Sequence, residues 1–162
     1  MENAKDTFYI TLRNRLAAVN PQRVMVLRGV QRPGILVEEA EAPAAQLPGD
    51  VFVLRWTAMS ADTQFPATMM EMVCEVLYAT SGTVNNAGLD RGRLLAEMDA
   101  ELLAMLSPNS VQKMNYSVTP AAAMNTMVFW SEPAFQPVTT LRDRLTRIAK
   151  VTVWAYQEQG EL

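Results

Sequence analysis

The 162-residue chain has no histidine. That absence removes Ser-His-Asp and Cys-His catalysis, imidazole zinc sites and ordinary histidine acid–base chemistry. It has one cysteine, Cys74, so neither an internal disulfide nor a multi-thiolate metal site can form within one chain. Embedded in the apolar stretch MMEMVCEVLYATSG, that thiol reads as a small core residue, because a nucleophile would need a basic partner. No apolar run approaches the roughly 18–20 residues needed to cross a bilayer. The opening MENAKDTFYI mixes both charge signs without an apolar h-region, so a soluble intracellular product is expected. The net charge of −3 and pI near 5.0 argue against broad electrostatic binding to nucleic acid. Also missing are a GxGxxG after a strand, a Walker A motif, zinc-ligand spacing and a nucleophile elbow. By subtraction the chain is not expected to be an enzyme, and no cofactor, metal or membrane partner is implied.

What is present describes one globular domain: 49% hydrophobic and 19% charged residues over a length suited to a single core. Phe8, Leu12, Leu16 and Val19 recur at helical spacing, so a helix is expected over Thr7–Val19, capped by Asp6 or Thr7 and ended by Asn20-Pro21. Arg13 and Arg15 read as solvated flank charges. Val24–Leu27 is a short β-prone run, and Arg32-Pro33-Gly34-Ile35 has the composition of a type II turn. Ile35 and Val37 continue as a second short strand or extended arm. Acidic Glu38, Glu39 and Glu41 follow as a solvated loop, with no regular ligand spacing to favour a metal. Val51–Met59 alternates as a strand, with Phe52, Leu54, Trp56 and Ala58 on one face.

MMEMVCEVLYATSG fits both a helical and a strand period. A preceding strand, a polar hairpin turn and β-prone Val73, Val76, Tyr78 and Thr80 favour the strand. Its apolar face is Met70, Met72, Cys74, Val76 and Tyr78, with Glu71 and Glu75 on the other. A second helix carries a stripe of Leu94, Leu95, Met98, Leu102, Met105 and Leu106, with Asp90 as its cap and Ser107-Pro108-Asn109 as its end. Glu97 and Glu101 share a flank there; two carboxylates so placed could act as acid and base, although a solvated flank is the plainer reading. VQKMNYSV sets Met114, Tyr116 and Val118 against Lys113, Asn115 and Ser117, and further strands follow around Met127–Trp130 and Ile148–Gln157. Arg142, Arg144, Arg147 and Lys150 could touch phosphates or simply form a solvated face. The expected fold is α+β: one domain, mainly an antiparallel sheet, with two helices packed on one face.

Taken in order, these segments resemble the tail-terminator proteins of long-tailed bacteriophages. In that family an N-terminal helix, a strand, an Arg-Pro turn and an acidic arm precede a hydrophobic strand, as in RPGILVEEAEAP followed by DVFVLRW. A long hairpin strand running into a helix resembles MEMVCEVLYATSG and LDRGRLLAEMDAELLAML. The closing strands resemble VFWSEPAF and RIAKVTVWAYQ. The segments 42–50 and 133–142 look longer than compact members need, leaving open a neighbouring neck protein of similar fold.

The resemblance implies a virion protein, assembled in the host cytoplasm as a hexameric ring on the head-proximal end of the tail tube. Its partners would be further copies of itself, the tail tube protein and the connector, with DNA passing through the lumen without specific binding. Under that reading the expected contact residues are the arm Glu38, Glu39 and Glu41, and the hairpin tip Asp62, Gln64 and Phe65. Glu71 and Glu75 would face a lumen or a neighbouring subunit. The 11 methionines suit adaptable contacts or core filling. A small ligand-binding or regulatory domain is the reading from a different class, and it requires an enclosed apolar pocket.

Overall fold

The computed structural model describes residues 2–38, 47–64, 67–159 and 161. They form two α-helices and ten strands in the α+β arrangement expected. Helix α1 (Glu2–Val19) buries Ala4, Phe8, Leu12 and Leu16, one residue per turn along a single stripe. It begins before the expected start, so Thr7 is an interior residue and not a cap. Its hydroxyl is fully buried and is satisfied by the backbone of Met114, accepting the N–H at 3.0 Å and donating to the carbonyl at 3.3 Å.

Strands β1 (Val24–Leu27) and β2 (Val30–Pro33) form a separate two-stranded hairpin. Arg28 and Gly29 both have positive φ, 51° and 78°, which is the type I′ geometry that matches strand twist. The turn therefore lies here and not at Arg32-Pro33-Gly34-Ile35. A type II turn needs positive φ at its third residue, and Gly34 is not among the positive-φ glycines. Gly34 is instead a close-approach site, where a Cβ would stand 3.1 Å from Arg23 Cγ.

The chain runs on into β3 (Ile35–Val37), which pairs in parallel with β4 (Phe52–Asp62). Strand β5 (Met69–Thr80) is the ambiguous stretch, and it is a strand throughout. After it come a 3-10 turn at Val84–Asn86, helix α2 (Arg91–Met105), β6 (Ser110–Asn115), β7 (Ala122–Trp130), β8 (Ala134–Phe135), β9 (Thr139–Leu141) and β10 (Arg144–Tyr156). The main sheet is ordered β3-β4-β5-β10-β7-β6, and β8 and β9 pair with other stretches of β10. All its pairings but β3–β4 are antiparallel.

Both helices lie against one face of this sheet, and the sheet curls around α1. Thr7 bonds to Met114 on edge strand β6, while Tyr9, two residues on, donates its hydroxyl to Ile35 O on the opposite edge strand β3 at 3.4 Å. A flat sheet of six strands would set its edges roughly 24 Å apart, about twice the diameter of a helix with its side chains. Phe8 accordingly meets Trp56 of β4 and Trp130 of β7 edge-on, at centroid distances of 5.8 and 5.3 Å. Such contacts are worth about 0.5–1.5 kcal/mol each beyond burial.

Met72, Cys74, Val76 and Tyr78 are fully buried under the helices as the strand period requires. Tyr78 also donates its hydroxyl to Asp99 of α2 at 2.5 Å, and Arg147 of β10 bridges the same carboxylate at 3.2 Å. These two bonds fix how α2 sits across β5 and β10. In β4 a bulge at Thr57 breaks the alternation. Phe52, Leu54 and Trp56 pair with inward residues of β5, but beyond the bulge Ala58 pairs with outward Val73 and Met59 with inward Met72.

In β6 the buried residue is Lys113, while Met114 is only half-buried. The ammonium donates to Tyr156 O at 2.6 Å and to Glu161 at 2.7 Å, and Glu158 lies 3.9 Å away. Arg15 is likewise not a solvated flank: it donates to the carbonyls of Met105 and Pro108 and stacks over Trp130.

Candidate assembly surface

A strand's period of two sends Glu71 and Glu75 to the face that the helices leave uncovered. Register then gives them neighbours. Glu75 stands between Arg55 of β4 and Lys150 of β10, and Glu71 between Ser60 and Trp154. Lys150 pairs with Glu75 at 3.5 Å, and Trp154 Nε1 donates to Glu71 at 3.0 Å. Arg55 Nε bonds Glu38 at 2.6 Å, and that hydrogen bond raises the pKa of the guanidinium. The result is a row of alternating sign, Glu38–Arg55–Glu75–Lys150, running across the sheet from the end of β3 to β10. Opposite charges facing each other across strands contribute roughly 0.2–1 kcal/mol each.

The expected contact residues therefore divide. Glu38, Glu71 and Glu75 share the outer face, and Glu38 is a paired, mostly covered carboxylate instead of a free acid on an arm. Asp62 and Gln64 sit apart at the β4–β5 tip, where Asp62 accepts the Gln64 N–H at 2.9 Å and shapes the turn. Glu39, Glu41 and Phe65 lie outside the described residues.

Two further surface features were not anticipated from the sequence. The β1–β2 hairpin exposes Val26 and Val30 to 67% and 65%. Its signal was faint: Gly29 between two short runs marks a turn, but Arg28 is not one of the residues that favour the first position of a type I′ loop. The connection from β5 to α2 exposes Val84 and Leu89 to 95% and 89%, yet it is firmly built. Asp90 does not cap α2 with its side chain. Its carboxylate turns back to accept Asn86 Nδ2 at 2.9 Å, Thr83 N–H at 2.8 Å and Thr83 Oγ1 at 2.7 Å. Those bonds, from Asn86 first and then Thr83, lower its pKa to about 2. Gly82 has φ +78°, and a Cβ there would fall 2.7 Å from both Asp90 Oδ1 and Gly88 Cα. Only glycine fits.

Reactive groups are occupied elsewhere. Burial pushes the Cys74 thiol far up, which leaves no thiolate to attack. Glu97 is exposed and faces Arg93, whereas Glu101 is gripped by Arg23 and Asn20, so the two do not form an acid–base couple. The basic cluster is divided in the same way: Arg147 serves Asp99, Lys150 serves Glu75, and Arg144 donates to Leu47 O. Among the described residues no three His, Cys, Asp or Glu side chains gather as a metal site. No helix among them is long and apolar enough to cross a membrane.

No family model and no curated protein matches the chain. A solved chain described as "Virion of native gene transfer agent (GTA) particle" is similar over 93% of this chain and 92% of its own length, with 12% identity and a TM-score of 0.33.

Proposed function

We propose that the chain is a structural virion protein that assembles as a ring on the head-proximal end of a phage tail tube, stops tube growth and offers the joining surface to the head. The observation that carries this reading is the order of elements. The segments that resemble tail terminators fall on α1, β3–β4, the long β4–β5 hairpin leading into α2, and the closing pair β7 and β10.

The layering suits the role. With both described helices on one face, the part of the other face around Glu71, Trp154 and Lys150 stays at least partly open to solvent, while Val53 and Ala79 further along it are buried. A subunit of a ring needs such open surface for its neighbours and for its lumen. In the ring, Glu71, Glu75 and Glu38 line the lumen or a subunit boundary, and Asp62 and Gln64 at the hairpin tip meet the tube or the connector. The carboxylates of Glu38, Glu75 and Glu71 are already held by Arg55, Lys150 and Trp154 in turn. A face of balanced charge gives passing DNA little to hold.

Electron microscopy of particles made without this product tests the reading. Tails of uncontrolled length are the expected result. Tails of normal length that fail to join heads would move the protein to another position in the neck, and normal infectious particles would remove the virion role.

A further inference from the structure

The β1–β2 hairpin and a cleft at the end of α2 are two exposed features of the same chain. The hairpin is a two-stranded ribbon apart from the main sheet, packed at its base against α1. Such a ribbon is marginal in water without further packing, yet its type I′ turn holds the tip in one shape. Register puts Val26 on one face of the ribbon and Leu27 with Val30 on the other. The tip is thus apolar on both faces, and Arg28 crowns it. The cleft, about 530 Å³, is lined by Leu103, Leu106, Pro108 and Pro133 together with polar Ser107, Asn109 and Glu132. A cavity of that size lies in the range of occupied protein sites, roughly 300–1,000 Å³. Neither the Arg28 nor the Glu132 side chain has a hydrogen bond or ion pair among the described residues, and none joins the hairpin to the cleft.

We infer that the hairpin of one copy inserts into the α2 cleft of the next, Val26, Leu27 and Val30 packing on its apolar residues Leu103, Pro108 and Pro133 and Arg28 meeting Glu132. Knob and hole lie on different elements, so the contact is head-to-tail. A repeated head-to-tail contact closes into a ring or runs on as a filament. The inference rests on the ring reading above and names the contact that would build it.

The test mixes two full-length single variants, Val30→Cys and Leu103→Cys, and treats them with a short bis-maleimide. Native Cys74 is buried and serves as the silent background. A cross-linked dimer in the mixture, and little with either variant alone, is the expected result. In parallel, light scattering follows Arg28→Glu, whose charge would face Glu132 and weaken association at least about tenfold. Adding Glu132→Arg restores it. Circular dichroism checks that every variant keeps its fold.

If the wild type self-associates but the mixture gives no specific cross-link and the charge swap no rescue, the docking is overturned while the ring reading stands. A wild type that stays monomeric throughout the micromolar range, with no cross-link in the mixture, overturns both.

Discussion

Arg23 grips Glu101 with two prongs: Nη2 stands 2.9 Å from Oε1, and Nε closes on Oε2. Both side chains are mostly covered, and a third nitrogen of the same guanidinium donates to Asp50 O at 2.9 Å. One side chain at the root of β1 therefore ties the hairpin to α2 and to the start of β4.

Losing that tie should cost about 2 kcal/mol, the scale of hydrogen bonds to a charged group. Urea unfolding of Arg23→Ala gives the number. Arg23→Lys should recover less than half, since an ammonium cannot make the forked contact. A lysine variant as stable as the wild type would show that charge alone matters here.

Phe8 is the residue on which the curl of the sheet closes. Phe8→Ala should destabilise by about 3–5 kcal/mol, the range for a buried aromatic. It should also alter the emission of Trp56 and Trp130, which it touches from opposite sides. Phe8→Leu should cost less and leave the fold intact. Fluorescence-monitored denaturation reads both.

Lys113 is a cation with 1% of its side chain exposed, facing Glu161 and Glu158. Lys113→Met should cost about 3 kcal/mol or more, because it removes the charge that offsets two covered carboxylates. Burial alone would raise the Glu161 pKa, but the Lys113 hydrogen bond and the Glu158 N–H outweigh it and the pKa is lowered. A lowered carboxyl pKa stabilises the fold above its unfolded value and loses that contribution as pH falls through the folded value. The wild type should therefore lose stability below about pH 4. Unfolding curves from pH 6 to pH 3 should show a flatter acid limb for Lys113→Met.

Asp90 should titrate near pH 2 when followed by carboxyl NMR. Its pKa is depressed, so the bonds it makes hold the 82–90 connection above its unfolded value, about 3.9, and release it as pH falls toward 2. Asn86→Ala and Thr83→Ala should each move the midpoint up toward the ordinary value. An unchanged midpoint in both would mean that the carboxylate is not held by these partners.

Period and composition determined the two helices and the α+β class, and the strand at Met69–Thr80, with Glu71 and Glu75 turned outward, was legible once the preceding strand and polar turn were read with it. Those are local properties: a stripe every three to four residues, or an alternation, is written in neighbouring positions. The pairing of Arg55 with Glu38 and of Lys150 with Glu75, the burial of Lys113 and the work of Arg15 were not legible. Each depends on which strand or chain end arrives opposite, and register across residues far apart in sequence leaves no local trace. The start of α1 and the cap of α2 were misread for a related reason. Thr7 and Asp90 are good capping residues by type, but each found stronger partners elsewhere: Thr7 in the backbone of β6, Asp90 in Thr83 and Asn86. Only the tertiary structure decided that the sheet wraps α1, and that the β1–β2 hairpin stands out as an apolar tip beside Arg28 while the end of α2 opens on a cleft that includes Leu103 and Glu132.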